Sequence, residues 1–73
     1  MQNKEKEKLR ILLGHWVKHN DAHGNEFRNW AQKSKSFADI GVHDNIVKAV
    51  EKIFEANDYL NMASRILNDD DSL

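Results

Sequence analysis

GHWVKHNDAHGNEFRNW, residues 14–30, decides the fold: it either continues one long helix or splits it in two. Gly14 and Gly24 oppose continuity, since glycine inside a helix costs about 1 kcal/mol relative to alanine. The run NDAHGN also has the composition of a turn, and Asn25 could cap a new short helix. Against a break, Leu9, Trp16, His23 and Trp30 keep seven-residue spacing through the suspect segment, a regularity that a turn would scramble. One continuous helix is therefore expected. A three-helix form broken near Gly24 is the alternative.

Outward from this stretch the chain reads as all-α. It has no proline, and its apolar residues recur with helical rather than alternating spacing. In the first half Leu9, Leu12, Leu13, Trp16, Phe27, Trp30 and Ala31 plot onto one face. In the second half Ile46, Ile53, Leu60 and Leu67 recur every seven residues, with Ala49, Ala56 and Ala63 at the same interval between them. That pattern predicts a heptad seam with small residues in alternate layers. The connection falls at 35–41, where Gly41 can take a left-handed or capping conformation and Asp39 or Asp44 can cap the second helix.

The expected architecture is a long antiparallel hairpin, about 4–34 and 42–68, within a single domain of 1–73 whose residues 69–73 form a short acidic tail. With the turn centred on residue 38, facing residues sum to about 76, which sets Phe27 near Ala49, Asn20 near Ala56 and Leu13 near Ala63. Asn20 and Asn57 fall within about a turn of each other and are expected to hydrogen-bond to each other or to His23 in a polar layer. A two-helix hairpin shields one side of each helix only, so Val47, Phe54 and the two tryptophans should leave apolar surface open. Pairing of two hairpins into a homodimeric four-helix bundle would cover it.

A chain of 73 residues buries about 60% of its unfolded surface at best, so stability is marginal. It contains no cysteine for disulfides or a thiolate metal site. No apolar run approaches the roughly 18 residues of a membrane span, and Met1 to Lys8 is too charged for a secretory signal, so a cytoplasmic protein without membrane contact is expected. The net charge of -1 conceals a division: residues 1–37 hold eight Lys and Arg against four Asp and Glu, whereas residues 38–73 hold three against eight. Such halves suit each other, or the opposite half of another copy, better than they suit nucleic acid. Lys4, Lys6, Lys8 and Arg10 alternate along a helix and scatter around its axis without forming a stripe, so no nucleic-acid partner is expected. No nucleophile has an evident base and no glycine-rich phosphate loop is present, so an enzyme is not expected either.

The histidines are the chemical signal. His15, His19 and His23 lie four apart and span about 80° of arc on a helix, with Glu26 projecting between His15 and His19. All four edge the apolar stripe as candidate metal ligands, because side chains one turn apart can jointly hold nickel or zinc through neutral imidazole nitrogen. His15 and His23 are about 12 Å apart along the axis, too far to share an ion easily. The feasible sets are His15 with His19, or His19 and His23 with Glu26. The plainer alternative is that these are half-buried rings at a helix border, fixing register. His43, near the start of the second helix, is assigned to capping or solvent, and Trp16, Phe27 and Trp30 to the core or an interface.

LRILLGHWVKHNDAHGNEFRNWAQKSK, followed by GVHDNIVKAVEKIFEANDYLNMASRIL, resembles a family of short bacterial and archaeal helical domains that share the order HW, H, H, EF, W. His15, Trp16, His19, His23, Glu26, Phe27 and Trp30 match that order, and the likeness covers nearly the whole chain. Some relatives are appended to a small nickel-binding accessory protein of carbon monoxide dehydrogenase maturation. The resemblance thus implies metal handling and a metal-maturation protein as partner. Gly24 departs from the better helix formers of many relatives, which is the same point at which a break is conceivable. Together these observations favour a small metal-binding or metal-handling accessory protein using nickel or zinc. The alternative is a helical dimerisation and interaction module with structural histidines and no metal.

Overall fold

The computed structural model describes residues 4–71 and folds them into two α-helices, α1 (Lys4–Ser34) and α2 (Ile40–Asp71), laid side by side as an antiparallel hairpin. At 57 × 15 × 12 Å it is one helix thick in one direction and two wide in the other. No described helix is long and apolar enough to cross a membrane. Helix α1 is unbroken through residues 14–30, so the three-helix alternative is excluded. Glu5 and Glu7 in its first turn and Lys33 in its last complement the helix dipole.

The turn is built from local hydrogen bonds. Buried Ser34 donates its hydroxyl to the Ala31 carbonyl at 2.7 Å, and the Ala38 N–H closes on the Ser34 carbonyl at 2.9 Å. Of the two aspartates offered as caps, Asp39 serves: its carboxylate accepts from the Gly41 N–H at 2.7 Å. Asp44 instead pairs with His43 Nδ1 at 2.9 Å, and that ring is half-buried. No glycine among the described residues has positive φ, so Gly41 is an ordinary residue of the first turn of α2 and the expected left-handed conformation is not used. The cap at Asp39 starts α2 two residues earlier than expected. Its backbone also stays helical through Asp71, where a tail was expected from residue 69; residues 72–73 lie outside the described part.

Between the helices the buried positions of α1 are Leu13, Gly24, Ala31 and Ser34, and those of α2 are Val50 and Asn57, with Ile46, Ile53, Leu60 and Leu67 half-buried at the same seam. These follow the alternating three- and four-residue steps of a heptad. The second-half expectation is therefore half right. Ile46, Ile53, Leu60 and Leu67 do face the partner helix, but Val50 and Asn57 fill the layers between them, and Ala49, Ala56 and Ala63 are exposed. In α1 the stripe is likewise displaced. Leu13 and Ala31 are buried, whereas Leu9, Trp16, Phe27 and Trp30 stay 41%, 40%, 37% and 52% exposed. The period was the expected one, and the phase is one position away.

Gly24 explains the phase. A Cβ built on it would lie 2.9 Å from two ring carbons of Phe54, so the absence of a side chain is what admits the ring. Phe54, expected off the seam, closes it on one flank and carries the Arg28 guanidinium 5.2 Å from its ring centroid. At that level a residue without a side chain on α1 thus meets a large ring on α2. Near mid-length, Asn20 Nδ2 donates to Asn57 Oδ1 at 3.0 Å, as the expected polar layer requires. Asn57 Nδ2 in turn donates to Asp21 Oδ1 at 2.8 Å and to the Val17 carbonyl at 3.3 Å. With both of its donor directions and its acceptor used, Asn57 tolerates burial to 5% exposure.

Candidate functional site

Displacing the seam by one position puts the largest side chains of α1 on a neighbouring face. Leu9, Trp16, His23 and Trp30 recur every seven residues, each one residue before a seam position, and Val42, Ala49, Ala56 and Ala63 do the same on α2. In an antiparallel pair these two rows flank the same side of the seam. They form one broad face running along the hairpin, with indoles on α1 and alanines in the middle of the α2 row. Two hollows open on it. One, of about 450 Å³, is lined by Phe27, Trp30, Asn45, Ile46 and Ala49; the other, of about 390 Å³, by Leu9, Leu13, Ala63, Ile66 and Leu67. Phe27 with Ala49 and Leu13 with Ala63 are therefore neighbours, as the expected register had them, but across an open hollow and not in a closed layer.

The opposite flank lacks this character. There Asp21 and Arg28 of α1 meet Asn57 and Phe54 of α2 in hydrogen-bonded and ring contacts that the hairpin completes by itself. Leu9, Trp16, Phe27, Trp30, Val42 and Ile66 thus leave exposed apolar surface along one side. The tryptophans and the alanine row both belong to it, which unites two patterns that sequence spacing assigned to the inner seam.

The histidines stand at the edge of that face. His19 Nε2 and His23 Nε2 approach to 2.9 Å, their rings nearly perpendicular at 78°. His15 stacks on His19 with ring centroids 5.9 Å apart, and His23 continues the row onto Phe27 at 5.8 Å. Glu26 Oε2 lies 3.9 Å from His23 Nδ1, on the ring edge that faces away from His19. The structure therefore brings His19 and His23 together through one nitrogen each, places Glu26 behind His23, and leaves His15 as a stacked neighbour. Among the described residues no three His, Cys, Asp or Glu side chains converge to hold a metal ion. The pair itself is joined by a ring-to-ring hydrogen bond.

Sequence spacing missed Ile66, which lines the second hollow and is 64% exposed, because it stands off both seven-residue rows. Among known families, residues 9–67 fit the model of a domain of unknown function, DUF8180. No curated protein and no solved structure matches the chain.

Proposed function

We propose that this chain, which belongs to the DUF8180 family, is a helical self-association module, in which two hairpins pair through the open face to make a four-helix bundle. The observation that carries this is the placing of Leu9, Trp16, Phe27 and Trp30, all more than a third exposed, along one side of a hairpin that is closed on its other flank. Apolar patches of this extent on a small domain are sites of association. The role is one of assembly and not of catalysis. Ala49→Glu tests it, because position 49 is exposed in the single hairpin and would be desolvated in a dimer. Diluting the wild-type protein should shift tryptophan emission to longer wavelength as Trp16 and Trp30 meet water, whereas Ala49→Glu should show the shifted emission at every concentration. Emission independent of both dilution and the substitution would count against self-association.

A second reading is favoured by the His19–His23 spacing: the pair holds a divalent ion, nickel or zinc, at the edge of the face. At the right angle of a square-planar or octahedral nickel site, two nitrogens each about 2.0–2.1 Å from the metal are about 2.9 Å apart, whereas the tetrahedral angle of zinc sets them about 3.3–3.4 Å apart. His19 Nε2 and His23 Nε2 have the shorter separation. In the metal-free state one ring donates and the other accepts across it; the donor ring would bind metal by carrying its proton on Nδ1 instead. For His23 the Glu26 carboxylate lies on that side and would favour the required tautomer, an orienting role in place of ligation. The implied metal-maturation partner belongs to this reading as well. Calorimetric titration of the metal-free protein with nickel and with zinc should give a binding heat that His19→Ala abolishes. Equal heats for the two proteins would remove the clamp.

A further inference from the structure

We infer that the two hairpins pair about a two-fold axis parallel to their helices, so that α1 of each copy lies on α2 of the other. This rests on the self-association reading and adds which helix meets which. A hairpin can meet its copy face to face in two symmetric ways. An axis across the helices sets α1 on the partner's α1 and α2 on the partner's α2. An axis along the helices sets α1 on the partner's α2; in either arrangement every neighbouring pair of helices is antiparallel.

Two independent features select the second. Helix α1 holds seven Lys and Arg against four Asp and Glu, and α2 holds three against seven, so the first arrangement sets helices of like net charge on each other. Size divides the same way along the middle of the rows that flank the seam: Leu9, Trp16 and Trp30 on α1 against Ala49, Ala56 and Ala63 on α2, with Ile66 farther out on α2. Inside the hairpin the bias runs in the opposite sense, with Gly24 of α1 receiving Phe54 of α2. Indole on indole and alanine on alanine would demand unequal helix separations at the two halves of one interface. Indole on alanine gives one separation throughout, as close packing requires.

The axis also fixes the register. Rotation about a line parallel to the helices keeps every residue at its own height, so α1 meets in the partner the residues already level with it in its own hairpin. Asn20 with Asn57 and Arg10 with Asn68 give that level: facing numbers sum to 77 or 78. Along the outer edge of the face, Leu12 then falls level with the partner's Ile66, and Glu26 with the partner's Lys52. An apolar residue meets an apolar one and an acid meets a base.

Cysteine cross-linking of the full chain tests this, since the described residues contain no native thiol and the sequence has none. In one hairpin, positions 26 and 52 stand on opposite outer edges of the face, farther apart than the 8–10 Å between packed helix axes, which a disulfide cannot span. Under mild oxidation E26C/K52C should convert most of the chain into covalent dimer, and L12C/E26C should not. The reverse result, or a dimer in sedimentation that neither pair can link, overturns the arrangement while leaving self-association intact. A monomer in sedimentation overturns both.

Discussion

At the scale of single residues, Gly24 shows how a position can contradict its own propensity. Two glycines in a 31-residue helix look like two equal liabilities in sequence. They are not equal, because nothing lies within 4 Å of a Cβ on Gly14, while one on Gly24 would press into the Phe54 ring. Gly14→Ala should raise stability by about 1 kcal/mol, the helix propensity gain alone. Gly24→Ala gains the same propensity but must displace a ring held between α1 and the Arg28 guanidinium, an overpacking cost of about 1–3 kcal/mol. Urea unfolding of the two variants should therefore separate them by roughly that amount, with Gly24→Ala the less stable. Equal stabilisation by both would mean that Phe54 does not occupy the notch. Sequence could not distinguish them, since the residue that needs the space is 30 positions away.

At the scale of helices, the period of the pattern was legible and its phase was not. Leu9, Trp16, His23 and Trp30, like Ala49, Ala56 and Ala63, have the same repeat as a seam, and Leu13 and Ala31 lie next to them on the helix surface. What settles the choice is polar: Asn57 is buried with both amide hydrogens donated and its oxygen accepting, and only one phase places Asn20 and the Val17 carbonyl against it. The pairing of Asn20 with Asn57 was readable because two amides at facing heights in an apolar seam need each other. The Asp21 contact was not, because it crosses to the flank. Asn57→Ala should lower stability by about 1–3 kcal/mol, as Asn20 is left part-buried without its acceptor. Asn20→Leu with Asn57→Leu should instead raise the melting temperature, Asp21 being exposed and free to turn to water. The cost should be register: doubled amide resonances are expected from a second helix pairing once the polar layer is gone. A single sharp set of resonances at a lower melting temperature is the contrary outcome.

At the scale of the whole molecule, the hairpin was foreseeable from its heptads, its short connection and its complementary halves, and the histidine row was visible as spacing. Which ring nitrogens meet was not visible, because rotamers decide it: His19 and His23 turn Nε2 toward each other while Glu26 takes the far edge of His23. The consequence of greatest weight is geometric. Two helices alone cannot bury bulky apolar side chains on both flanks, and this chain closes one flank with Phe54, Arg28 and Asp21 and leaves Leu9, Trp16, Phe27 and Trp30 on the other. A second copy of a chain whose helices are oppositely charged is the cover that fits. Sedimentation equilibrium of the wild-type chain tests this most directly. It should return twice the chain mass of 8.5 kDa at micromolar concentrations, with Ala49→Glu returning the single mass. A wild-type chain that remains at 8.5 kDa at high concentration, with the same mass for Ala49→Glu, would contradict it.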